Sequence, residues 1–164
     1  MTVYITVGIS GSGKSHIARN LFPDAIELNA DNIRKETSGD ISCQSQNSLV
    51  FKMIDDRLEK AIKDGTKDVI ISNTNLHLDK NIELALKYPD TKFMMLLIED
   101  SSRINRCIGR VKKDLKNKVE RSDVPVFVIR NQHKNFIKLV EDLKTTELPK
   151  NLSYKWVTSD LRII

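Results

Sequence analysis

The sequence predicts a three-layer α/β fold, a mostly parallel five-stranded sheet with helices on both faces. Three observations predict it. Strand-like and helix-like segments alternate along the 164 residues. Two strand candidates, Val69-Ile70-Ile71 and Phe93-Met94-Met95-Leu96-Leu97-Ile98, are unbroken apolar runs that need cover on both sides. The first apolar run, Val3-Tyr4-Ile5-Thr6-Val7, passes directly into a glycine-rich turn and a helix.

That turn, Gly8-Ile9-Ser10-Gly11-Ser12-Gly13-Lys14-Ser15, fits the pattern G-x-x-x-x-G-K-[ST] in its required strand–turn–helix context. Backbone N–H groups and the positive end of the helix dipole converge there on one point, where a polyphosphate can sit. Gly8, Gly11 and Gly13 allow the close approach, while Ser10 and Ser12 complete the loop. Lys14 supplies a cation for the β- and γ-phosphates, and the Ser15 hydroxyl is placed to ligate Mg²⁺. The expected ligands are ATP and Mg²⁺, and the expected fold is the P-loop nucleotide-binding fold.

The elements follow in order. An amphipathic helix spans about Lys14–Leu21 and closes before Pro23, and a short strand covers Ala25–Leu28. A turn and polar stretch then run to about Cys43. Leu49, Met53, Ile54, Arg57, Leu58, Ala61 and Ile62 keep a three-to-four residue spacing, which predicts a longer helix capped at Gly65. A buried strand is expected at Asp68–Ser72, a helix from Asp79 to Tyr88 before Pro89, and a strand at Lys92–Ile98. Ser101–Lys118 reads as mostly helical, Val126–Leu143 as a helix, and Ser153–Thr158 as the last strand. Internal repeats and low-complexity linkers are absent from the pattern. Tyr154 and Trp156, two apart in that last strand, read as core or edge-packing residues.

Length and composition predict one domain over residues 1–164. The apolar fraction of 40% and charged fraction of 30% are ordinary for a soluble protein, and no apolar run approaches a bilayer span. The first strand begins without a leader-like segment, so the expected compartment is the cytoplasm, with no membrane partner. Cys43 and Cys107 lack metal-ligand or Cys-x-x-Cys spacing and read as ordinary thiols, and three scattered histidines suggest no metal site.

The net charge of +5 hints at a polyanionic partner. Arg103, Arg106, Arg110, Lys112, Lys113, Lys116, Lys118 and Arg121 concentrate it against Asp114 and Glu120. For the lysines, a solvated helix face explains the run equally well.

Ligands of such sheets bind at the carboxyl ends of the strands. The first exit is the phosphate loop; the others are Asn29-Ala30-Asp31-Asn32-Ile33-Arg34, Asn73-Thr74-Asn75 and Glu99-Asp100. Asp31 and Arg34, three apart where a helical turn should begin, share a face directed across the cleft. Together they suit phosphoryl transfer: the carboxylate accepts the proton of an attacking hydroxyl, and the guanidinium holds a phosphate on the acceptor. Alternatively, Asp31 caps a helix and Arg34 is a surface cation.

The Gly8–Ser15 loop, the N-x-D-x-x-R segment at Asn29, Asp31 and Arg34, and the Ile71-Ser72-Asn73-Thr74-Asn75-Leu76 segment together resemble the kinase domain of phage polynucleotide 5′-kinase/3′-phosphatase. Arg106 and Arg110, then Val124-Pro125 and a helix bearing Ile129-Arg130, are similar to that family's lid helix, Val-Pro step and following helix. The resemblance covers roughly residues 3 to 140. It implies that Lys14 and Ser15 hold ATP and its metal, that Asp31 is the general base toward a ribose 5′-hydroxyl, and that Arg34 binds the acceptor's phosphate. It also implies a helical lid at about residues 101–124, in which Arg106 and Arg110 would serve the nucleotide side, Arg110 as the lid arginine that neutralises the transferring group.

Three departures accompany the resemblance. Asn73 stands where the family has an aspartate, and it either orients Arg34 or the acceptor or satisfies local backbone. The stretch from Arg110 to Val124 is long and lysine-rich, which makes Arg121 a rival lid arginine. The family's phosphatase domain has no counterpart, so no 3′-phosphate removal is expected.

The Ser-, Gln- and Asn-rich segment Glu36–Ser48 is expected over the acceptor side and contains no aromatic to stack a base. The leading expectation is an ATP-dependent polynucleotide 5′-hydroxyl kinase acting on DNA or RNA ends, with a role in nucleic-acid repair. The alternatives are a small-molecule P-loop kinase and a non-catalytic ATP-binding regulator. A homotetramer would suit the resemblance, but no heptad pattern demands assembly.

Overall fold

The computed structural model describes residues 1–39, 47–119, 121 and 123–164. The chain runs β1 (Thr2–Val7), α1 (Lys14–Leu21), β2 (Ile26–Leu28), α2 (Ala30–Ser38), α3 (Asn47–Asp64), β3 (Val69–Ile71), α4 (Leu78–Lys87) and β4 (Lys92–Ile98). A 3-10 turn at Glu99–Ser102 leads to α5 (Ile104–Lys116), α6 (Val126–Leu143) and β5 (Leu152–Val157). The strands form one sheet in the order β2-β3-β1-β4-β5, all pairs parallel.

Alternation along the strands sorts the core into two layers. Val3, Ile5 and Val7 of β1, Val69 and Ile71 of β3, and Phe93, Met95 and Leu97 of β4 meet residues of α2, α3, α4, α5 and α6. The opposite face, with Ile70, Leu96 and Ile98, packs on Ile17 and Ala18 of α1 and on Val157. Both faces are therefore apolar, which is why β3 and most of β4 read as continuous hydrophobic runs.

The last strand does not end the chain's pairing. Trp156 and Ile164 exchange two backbone hydrogen bonds, and Thr158 N–H donates to Arg162 C=O, so the C-terminal residues fold back on β5. Trp156 packs edge-on against Phe136, with ring centroids 6.2 Å apart, whereas Tyr154 lies exposed on the edge strand.

Most boundaries fall within one or two residues of the sequence reading. The largest departure follows β2, where the helical turn expected at Asp31 and Arg34 is a nine-residue helix, α2, that extends into what reads as a polar stretch. Its driving force is local. The Asn29 side chain accepts the N–H groups of Asp31 and Asn32, and Gly39 closes the helix at φ 75°. Polar composition hid the length of this helix, whose buried residues are few: Ala30, Ile33 and Arg34. Helix α3 ends as expected, with Gly65 N–H on Ala61 C=O.

Candidate active site

The phosphate loop is held in place from several sides. Gly8 N–H donates to Thr74 C=O, Ile9 N–H to the Ser101 hydroxyl, and Ser10 N–H to Gln132 Oε1 at 2.9 Å. Thr6 Oγ1 donates to Asn73 C=O, while Asn75, at φ 47°, reaches back with Nδ2 to Thr6 C=O and Asn73 C=O. The Ser72–Asn75 segment is thus the brace that welds the exit of β3 to the loop after β1.

Glycine is required at two positions of this loop. At Gly11, φ is 80° and an added Cβ would lie 2.4 Å from Cys107 C=O. At Gly13, φ is 100°, and the space a side chain would fill is open. Gly13 precedes α1 without any side-chain cap, so the amides at the start of that helix face the cleft.

A cleft of about 740 Å³ opens over this loop. Its floor includes Ser10, Gly11, Gly13, Lys14 and Ser15; Asp31 and Arg34 come from α2 and Asn73 from the exit of β3. Lys14 Nζ donates to Ile9 C=O at 2.8 Å. Burial, reinforced by the charge of Arg121 and opposed by Asp31, lowers its pKa to about 8.

Helix α2 presents Asp31 without using it as the cap, because Asn29 takes that position. Asp31 is 41% exposed, whereas Arg34 is 10% exposed, and their side chains pair at 2.7 Å. Arg34 also donates through Nε and Nη2 to Asn47 Oδ1, at 3.2 and 3.0 Å. Arg34 is therefore a buried, oriented guanidinium rather than a loose surface cation. Asn73 Oδ1 accepts the N–H of Ala30 at 2.9 Å, which anchors the first turn of α2 to β3.

On the lid side, Arg110 spans two structures. It donates to Gly11 C=O at 3.2 Å and pairs with Asp100 Oδ2 at 2.8 Å. It lines both the main cleft and a smaller cavity of about 320 Å³, which is also bounded by Ser12, Ile17, Ser159 and Leu161. Arg121 lines the main cleft and pairs with Asp114 at 2.6 Å. Arg106 stands apart: it is 55% exposed, 3.9 Å from Asp100, and lines neither cavity.

Asp100 was a strand-exit residue without an assigned role. It is buried and takes Arg103, Arg110 and the Ser159 hydroxyl, at 3.0, 2.8 and 2.6 Å. Burial alone would push its carboxyl up, but the Ser159 and Arg110 hydrogen bonds and the nearby guanidinium charges hold it below the usual range. Cys107 is fully buried with Sγ on Asp100 C=O, and burial pushes its thiol up; Cys43 lies outside the described residues. So does most of the polar segment expected over the acceptor side, namely residues 40–46.

The donor set fits a nucleotide polyphosphate. The uncapped start of α1, the desolvated Lys14 ammonium and Arg110 converge on the loop, and the buried Ser12 Oγ has no hydrogen-bond partner among the described residues. A divalent ion fits in one way. No group of three or more His, Cys, Asp or Glu among the described residues could hold it alone, so Ser15 would share it with the phosphates. Among the described residues no helix is long and apolar enough to cross a membrane.

Comparisons place this geometry. A family model described as an AAA domain matches residues 3–141. Similar solved structures include a chain of the Pnkp1/Rnl/Hen1 RNA repair complex, 17% identical, TM-score 0.72, with 90% of this chain and 47% of that one covered. The PezAT chromosomal toxin-antitoxin system of Streptococcus pneumoniae matches at 18% identity and TM-score 0.62, covering 99% of this chain and 70% of that one. Deoxyadenosine kinase from M. mycoides with bound dATP matches at 13% identity and TM-score 0.56, covering 98% and 93%. This chain spans about half the length of the RNA repair chain. At these identities the likeness concerns the fold alone. The chain belongs to the AAA domain family.

Proposed function

We propose that this protein is an ATP-dependent kinase that transfers the γ-phosphoryl group to the 5′-hydroxyl end of DNA or RNA. The observation that carries the reading is the Asp31–Arg34 pair: a half-exposed carboxylate and a buried, oriented guanidinium facing the phosphate loop across one cleft. A switch protein has little use for such a pair, whereas a hydroxyl acceptor beside a phosphate needs both. The likeness to a chain of an RNA repair complex and the net charge of +5 support a polyanionic acceptor.

Bound Mg²⁺ would add positive charge at the phosphates and orient them. Ser15 would hold it, while Lys14 and the α1 amides hold the β- and γ-phosphates of ATP. Arg34 orients the acceptor through its phosphate. As the acceptor oxygen bonds to the γ-phosphorus, its proton passes to Asp31 and the bond to the leaving ADP oxygen breaks. Arg110, already against Gly11, neutralises charge on the group in transit.

The residue-level test is Asp31→Ala. Loss of a general base is expected to lower kcat about 10²–10⁴-fold while ATP binding persists. Turnover that survives unchanged would remove Asp31 from the chemistry.

A further inference from the structure

We propose that Phe51 is the stacking platform for the terminal base of the nucleic-acid acceptor. This inference rests on the polynucleotide reading above and names what in this cleft recognises a base. Helix α3 turns Val50, Ile54 and Leu58 into the core, a stripe with four-residue spacing. Phe51 lies outside that stripe. It is 47% exposed and lines the main cleft, the sole Phe, Tyr or Trp among the described residues to do so.

Its position relative to Arg34 gives the exposure a purpose. Asn47, whose Oδ1 holds Arg34, is one helical turn before Phe51, so the two side chains share a face of α3 about 6 Å apart along its axis. A step of one turn is within the reach of a single nucleotide whose phosphate meets Arg34. Val119, Val124, Pro125 and Val128 add apolar surface to the same cleft, among polar and charged lining residues. An exposed aromatic ring in a cleft that also holds a phosphate-binding guanidinium suits a flat heterocycle carried on a phosphodiester.

One ring serves one base. A strand-tracking surface needs several stacked aromatics, and this cleft supplies one. The acceptor is therefore read at its terminal nucleotide, and nucleotides further along add charge-driven, salt-sensitive affinity alone.

The test compares wild type with Phe51→Ala and Phe51→Trp on two acceptors, a 5′-OH oligonucleotide and the same strand with an abasic 5′-terminal residue. Phe51→Ala is expected to raise KM about 5- to 100-fold for the base-bearing end with kcat and ATP affinity little changed, and Phe51→Trp to restore it. On the abasic end, wild type and Phe51→Ala should coincide. Equal KM shifts on both ends, or no shift on either, would overturn the proposal.

A binding measurement separates this inference from the proposed reaction. Terminal 2-aminopurine in a 5′-OH strand should lose fluorescence on binding Asp31→Ala protein, and the loss should vanish when Phe51→Ala is added. Phe51-dependent quenching without any phosphate transfer by the wild type would keep the base site and sink the kinase reading. Absence of that quenching would sink the base site whether or not transfer occurs.

Discussion

Raising the pH from 7 to 9 should weaken ATP binding while relieving an instability of the free protein, and both effects trace to Lys14. Its pKa in the nucleotide-free chain is about 8, against an ordinary 10.5, because the cleft strips water from the ammonium and Arg121 repels it. At pH 9 about one Lys14 in ten stays charged. Phosphate oxygens favour the ammonium, so the bound state keeps its proton. Affinity at pH 9 is then about tenfold below that at pH 7, and each binding event takes up close to one proton. Stability runs the other way. A lysine whose folded pKa is depressed burdens the fold below pH 8, and that burden is lifted as pH rises from about 8 towards 10.5, where the unfolded chain binds more protons than the folded one. Isothermal titration with ATP at pH 7, 8 and 9, in buffers of different ionisation enthalpy, reads affinity and proton uptake together. Lys14→Met is the control that removes both trends. Affinity that is flat from pH 7 to 9, with no proton uptake, would refute the placement of a desolvated ammonium at the phosphates.

Arg121→Ala should move the midpoint of that pH dependence upward, since it removes a positive neighbour of Lys14; an unmoved midpoint would separate the two residues. Asp100→Asn should cost about 1–3 kcal/mol, discounted because its arginine partners are 40–55% exposed, and lower Tm by roughly 2–12 °C. Because the Asp100 carboxyl is held below its usual range, this contribution exists at neutral pH and fades as acid protonates the folded-state carboxylate, so the two melting curves should converge in acid. Gly11→Ala should destabilise more than Gly13→Ala, because the first drives a methyl onto Cys107 C=O and the second meets open space, both at positive φ. Equal Tm losses would contradict that reading.

The phosphate loop and sheet were legible because their signals are local. A strand running into Gly8–Ser15 needs no distant partner to be recognised, and double-sided burial is written directly into Phe93–Ile98. The start of helix α2 was legible in the Asp31–Arg34 spacing, but its polar face hid its length and its cap, Asn29 two residues before Asp31. Asp100 escaped for another reason. Its partners Arg103, Arg110 and Ser159 come from the lid and from the far end of the chain, and a lone Glu-Asp pair after a strand carries no spacing that foretells them. Asn73 illustrates the same limit: its amide was assignable to Arg34 or to backbone, and the structure puts its oxygen on Ala30 N–H, where it sets the start of the helix that bears Asp31. Phe51 lies three residues past the Ser-, Gln- and Asn-rich segment, and the apolar spacing of α3 leaves it outside the core stripe without indicating that it faces the cleft.

The central claim is most directly tested by incubating the protein with γ-labelled ATP and Mg²⁺ and a matched panel of acceptors: 5′-OH DNA, 5′-OH RNA, free nucleosides and nucleoside 5′-monophosphates. Label on the 5′ ends of the oligonucleotides, lost in Asp31→Ala, is the result expected of an end-phosphorylating kinase. Label confined to the nucleosides or monophosphates would contradict it and make the acceptor a small molecule.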